Sequence, residues 1–150
     1  MILDQQVVIP AAPDRVWDFL MDIPAVSRCV PGVESVERLD DDTYLGSLKV
    51  RVGPIGVTLA GKVTVVERDR EQLRSRMDVQ AAEKRLNSAV SAHATMTLVA
   101  RSESETVVRI HTESSILGKL GEFGQAVMRK KADQIIAEFA RNMARELAAS

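Results

Sequence analysis

A chain of 150 residues fits one domain and is long enough to bury a core without metals or disulfides. Apolar residues make up 45% and charged residues 27%, which excludes a disordered or fibrous chain. A net charge of −1 gives no electrostatic case for nucleic acid, and a single cysteine, Cys29, excludes an internal disulfide and any cysteine-cluster metal site.

Residues 2 to 9 end in Val7-Val8-Ile9-Pro10 and read as a strand stopped by a residue that cannot donate to a ladder. Pro13 and Asp14 then open a short helix to about residue 20, with Val16, Trp17 and Leu20 on one face. A second short helix is expected from about 23 to 29, closed by Pro31-Gly32. From residue 33 the period changes from helical to alternating. Six strands are predicted, over 33–39, 43–52, 57–67, 72–81, 86–100 and 106–116. Short connections such as Asp40-Asp41-Asp42 and Gly53-Pro54-Ile55-Gly56 imply an antiparallel meander. Alternation is clearest over 89–98, where Val90, Ala92, Ala94, Met96 and Leu98 share one face and Ala89, Ser91, His93, Thr95 and Thr97 the other.

Beyond Ile116 the pattern turns helical to the end, with Leu120, Gly124, Val127, Met128, Ile135, Phe139, Met143 and Leu147 as an apolar stripe. Thirty residues of helix would reach about 45 Å, so this helix has to cross the whole sheet. Neither a helix with one apolar stripe nor a meander with one apolar face can bury it alone, and each is the other's partner. Gly118, Gly121 and Gly124 recur every three residues, at a cost of about 1 kcal/mol each within a helix. They form either a bare strip where a ligand or a neighbouring backbone comes close, or a loop before a helix that starts later.

No chemistry-bearing constellation stands out. Gly53-Pro54-Ile55-Gly56 lacks the free amides and the following helix of a phosphate cradle and reads as a hairpin turn. His93 and His111 fall on the outer parity with no ligand-spaced partner and no Ser-His-Asp or Cys-His arrangement. Cys29 reads as a small buried residue at a helix end, and Arg129-Lys130-Lys131 as a solvated face. The polar candidates on the dry face are Ser75, Ser88, Thr106, Thr112 and Ser114, none of which supplies a titratable pair.

Five segments carry a resemblance to a known family. These are Val16-Trp17-Asp18-Phe19-Leu20-Met21-Asp22, Cys29-Val30-Pro31-Gly32-Val33-Glu34, Tyr44-Leu45-Gly46 leading to Val50-Arg51-Val52-Gly53-Pro54, Gly61, and Gly118 through Gly124. Together they resemble the CoxG-like family, the G-subunit family of carbon monoxide dehydrogenase, within the SRPBCC, or START-like, helix-grip superfamily, over essentially all 150 residues. The resemblance implies an α+β helix-grip fold: a curved antiparallel seven-stranded sheet around a long C-terminal helix, with two short helices after the first strand. It also implies a cavity between sheet and helix for a hydrophobic small molecule, and an accessory role beside a molybdenum hydroxylase of the carbon monoxide dehydrogenase type. It supplies no catalytic motif. Some members extend into a C-terminal membrane anchor, which the ending Leu147-Ala148-Ala149-Ser150 lacks.

The expectation is therefore one domain spanning residues 1–150 that binds a quinone-like or lipid-like molecule without a covalent cofactor or metal. Its wall is expected to be Val16, Leu20, Val50, Leu59, Met77, Val79, Met96, Leu98, Leu120, Gly121, Phe123, Gly124 and Val127. With no signal-like N-terminus and no apolar run long enough to span a bilayer, a soluble cytoplasmic protein is expected, with peripheral membrane contact left open. The rivals are a cyclase, dehydratase or hydrolase using the same cavity, marked by a buried acid or base, and an assembly factor with an incidental cavity.

Overall fold

The computed structural model describes residues 1–149. β1 (Ile2–Ile9) is followed by α1 (Pro13–Met21) and α2 (Ile23–Ser27). The meander is β2 (Val33–Arg38), β3 (Thr43–Val52), β4 (Ile55–Asp69), β5 (Arg74–Glu83), β6 (Ser88–Ser102) and β7 (Glu105–Leu117). A 3₁₀ turn, Lys119–Phe123, leads into α3 (Gln125–Ala149). All seven strands form one antiparallel sheet in the order β1-β7-β6-β5-β4-β3-β2, so the first strand closes beside the last.

Local chemistry accounts for these boundaries. Pro13 opens α1, which buries Val16, Trp17 and Leu20, and the Asp22 carboxylate caps α2 by accepting from the Ala25 amide at 3.3 Å. β5 starts at Arg74 and β6 at Ser88, each two residues later than the alternation suggests. Leu73 and Asn87 hold φ of 52° and 45°, turn conformations that end a ladder. The β5–β6 turn, Lys84 to Asn87, contains neither glycine nor proline, so its sequence hides it.

α3 touches both β1 and β3, which lie five places apart in the sheet, so it crosses the sheet's concave face from side to side. Gln5 donates to Asp133 at 2.9 Å and Arg129 to the Ile2 carbonyl at 3.2 Å, fixing the helix to β1. At its far end Arg15 donates to the Leu147 carbonyl, and Asn142 to the Cys29 carbonyl at 2.9 Å, tying α3 to α1 and α2.

The helix is 25 residues long rather than thirty, and it begins after Gly124. Gly118 and Gly124 have φ of 87° and 85° with extended ψ, a region open in practice to glycine alone. The three glycines therefore bracket a tight turn and do not line one flank of a helix.

A buried acid closes the sheet where β5 ends. Glu83 accepts from the Thr58 amide at 2.5 Å and the Arg85 amide at 3.1 Å, with the Arg85 guanidinium 3.7 Å away. The Thr58 bond foremost holds its pKa below the ordinary glutamate value. Because the folded-state pKa is the lower one, the stabilisation is full above the unfolded-state pKa and is lost as pH falls through the folded value. Glu83→Gln leaves one amide unpaired and is expected to lower the melting temperature by about 4 °C at pH 7. The gap should narrow in thermal melts as the solution is acidified to about pH 3, and a gap independent of pH would contradict this role.

Candidate functional site

The interior of the sheet carries two apolar clusters, a large closed one and a smaller one with a half-buried rim, rather than one continuous core. The first joins Val16, Trp17 and Leu20 of α1 to Met96 and Leu98 of β6, Val108 of β7, and Phe139, Met143 and Leu147 of α3. The second sits at the opposite end, where Val52, Val57 and Leu120 are buried against Val50, Leu59, Val90, Phe123 and Met128. Period-2 pleating puts Met77 and Val79 of β5 on the same concave face, in register with Val65 and Val63 of β4 and with Ala94 and Ala92 of β6.

Met77, Val79, Ala92, Ala94 and Val63 belong to neither cluster and remain half-buried. On α3, Ala132, Ile135 and Ile136 are likewise half-buried, on the N-terminal side of the buried Phe139, Met143 and Leu147. The middle of the concave face is thus a largely apolar strip, bordered by Thr112 and Ser114 of β7 opposite Ala94 and Ala92, with closed packing at the α1 end and a smaller cluster with a half-buried rim at the other. Apolar side chains held partly open to solvent beneath a helix leave part of the hydrophobic gain unrealised, at roughly 25 cal/mol per Å². A hydrophobic molecule filling the strip would recover it.

The expected wall residues therefore fall into groups. Val16, Leu20, Met96 and Leu98 pack in the first cluster; Val50, Leu59, Leu120 and Phe123 form the second. Met77 and Val79 line the half-open strip. Gly121 is exposed, with its Cα hydrogen position facing the Ile116 carbonyl, Gly124 borders open space, and Val127 is 39% exposed at the start of α3.

Three of the polar residues expected on the dry face have their hydroxyls committed to the backbone. Thr106 donates to the Ala11 carbonyl at 2.8 Å, and Ser114 to the Met1 carbonyl at 3.3 Å. Ser88 donates to the Leu86 carbonyl and accepts from the Leu120 amide, both at 2.9 Å. Ser75 differs: it is 1% exposed and its Oγ has no hydrogen-bond partner among the described residues. An unpaired buried hydroxyl costs roughly 1–3 kcal/mol.

The outer face holds pairs that sequence spacing hid. His93 Nδ1 lies 2.6 Å from Asp78, and His111 Nδ1 lies 2.6 Å from Asp4 with Glu113 at 3.4 Å from its Nε2. The Asp4 bond, then Glu113, raises the His111 pKa by favouring the imidazolium. A shallow depression of 480 Å³ lies beside His111, lined also by Asp4, Gln6, Thr97 and Arg109. Another of 370 Å³ lies between Cys29 and the Asn142–Glu146 turn of α3. Both lie away from the apolar strip. Cys29 is buried, and burial pushes its thiol pKa up, the opposite of an activated nucleophile. Among the described residues no His, Cys, Asp and Glu group is placed to hold a metal ion, and no helix is long and apolar enough to cross a membrane.

The fold is shared with several solved structures. A conserved protein from Geobacillus kaustophilus superposes with a TM-score of 0.91 at 19% identity, covering 100% of this chain and 97% of that one. A START superfamily protein from Mycobacterium smegmatis gives 0.68 at 8% identity, covering 99% and 97%. The Zhui aromatase/cyclase from Streptomyces sp. R1128 gives 0.63 at 17% identity, covering 100% and 98%. At these identities the likeness is one of fold, the START-like helix grip. The sequence matches none of the curated proteins. Over residues 6–148 it matches the family described as CoxG, the G-subunit of carbon monoxide dehydrogenase.

Proposed function

The chain belongs to the CoxG family of carbon monoxide dehydrogenase, and on that premise we propose that it is a non-catalytic carrier of a hydrophobic small molecule, quinone-like or lipid-like. Its partner in this reading is a molybdenum hydroxylase of the carbon monoxide dehydrogenase type, in keeping with the family's description. The observation that carries the reading is the half-buried strip of Met77, Val79, Ala92 and Ala94 between the two apolar clusters. An apolar wall with few polar groups suits such a ligand.

The enzymatic alternative draws on the aromatase/cyclase that shares the fold. It calls for a buried acid or base, and the buried acid is Glu83. Two backbone amides hold that carboxylate ionised at the end of β5, which favours a structural role over proton donation.

Loading from a bilayer at the cytoplasmic side accounts for one further feature. The β3–β4 hairpin, the 3₁₀ turn and the start of α3 meet around the second cluster, where Ile55 and Val127 are exposed and Lys119 and Lys130 outnumber the exposed Glu122. Apolar tips among cations favour shallow contact with anionic headgroups.

Native mass spectrometry after incubation with a total membrane lipid extract tests the carrier reading. The expected spectrum contains a one-to-one adduct whose added mass is released into organic solvent. A spectrum of the bare chain alone would overturn it.

A further inference from the structure

The geometry points to Ser75 as the residue that selects and orients the ligand, by pairing its hydroxyl with a terminal oxygen, carbonyl or hydroxyl, on an otherwise apolar molecule. This inference rests on the carrier reading above. Ser75 stands opposite Met96 in the β5–β6 register and two residues before Met77, so pleating turns its side chain to the concave face. Met96 belongs to the closed cluster around α1, and Leu73 packs against that cluster too, whereas Met77 opens onto the strip. Ser75 thus marks the inner end of the strip, where closed packing begins.

Three other interior hydroxyls, those of Ser88, Thr106 and Ser114, are spent on backbone carbonyls. Ser75 Oγ alone of these four has none, while its side chain is 1% exposed. A buried hydroxyl is normally paired, and one left over at the end of an apolar strip is what a single polar head requires. Met77 and Met96 flank it, and their unbranched thioether chains are the side chains best able to move aside for an entering ring. A ligand held this way lies with its oxygen-bearing head inward, toward the α1 cluster, and its apolar remainder along Met77 and Val79.

The test compares 1-tetralone with tetralin, which share a ring skeleton and differ in one carbonyl, by titration calorimetry on the full chain. Ser75→Ala is expected to weaken 1-tetralone about tenfold while leaving tetralin within about twofold. Its unfolding midpoint should equal or exceed that of the unaltered protein, because an unpaired hydroxyl has been removed. Ser75→Cys keeps the shape while adding only the larger sulfur, weakens the hydrogen bond, and is expected to lose most of the same factor. Equal losses for both probes, a lowered midpoint for Ser75→Ala, or unaltered ketone affinity in Ser75→Cys would each overturn the assignment while leaving the carrier reading intact. If the unaltered protein binds neither probe, the carrier reading falls, and the assignment with it.

Discussion

Gly118→Ala is expected to cost about 4 kcal/mol or more, a large share of the roughly 5–15 kcal/mol that holds a domain of ordinary stability folded. Two effects add. Gly118 has φ of 87° with ψ of −163°, a region that is strained for any side chain by about 1–3 kcal/mol. A Cβ there would also lie 2.9 Å from Ser88 Cα and Oγ, and closer still to the Asn87 carbonyl oxygen. That backbone cannot yield, because Ser88 pairs with Glu83 across the hairpin and its hydroxyl holds the Leu120 amide. Gly124 is the internal control: its φ is 85°, yet a Cβ there meets nothing within 4 Å. Gly124→Ala should therefore show strain alone, about 1–3 kcal/mol. Urea unfolding of the two variants separates the effects, and equal losses would mean that overlap with Asn87 and Ser88 contributes nothing.

Val79→Glu should reduce affinity for an apolar ligand at least about 100-fold, or about 2.7 kcal/mol, while the protein stays folded. Val79 sits at the centre of the proposed binding strip, with Val63 and Ala92 beside it in register. Binding would have to strip water from the new carboxylate without offering it a partner. In the free protein the half-open strip lets that carboxylate reach solvent, so the stability loss should be small. Gln80→Glu adds the same charge at the next position on the outer face, and it should leave binding unchanged. Titration with the neutral fluorescent probe N-phenyl-1-naphthylamine reads both variants. Comparable binding by Val79→Glu and the unaltered protein would remove the strip from the site.

Alternation in the sequence was enough to sort faces on β6, where Met96 and Leu98 are buried while His93 is exposed. It was not enough to separate the closed core from the half-open strip. Met96 and Met77 have the same residue type and the same parity, but one is closed in by α1 and α3 and the other is not. That difference depends on where a helix much further along the chain comes to rest. The carboxylate partners of the histidines were hidden for a related reason. Asp78 and His93 are 15 residues apart, and Asp4 and His111 are 107 apart, so only strand pairing makes them neighbours.

What the sequence determined by itself was local: the period-2 strands, the proline-opened α1, the Gly53-Pro54 hairpin, the apolar face of the final helix, and the family resemblance carried by short segments. These follow from side-chain periodicity and backbone restriction within a few residues of each position. The tertiary structure alone decided that β1 closes beside β7, that α3 starts after Gly124, that Glu83 is buried against the Thr58 amide, and that Ser75 has no partner among the described residues. Each of these is a relation settled by how segments pack together. Burial and hydrogen-bond satisfaction are properties of the packed whole, and no window of sequence contains them.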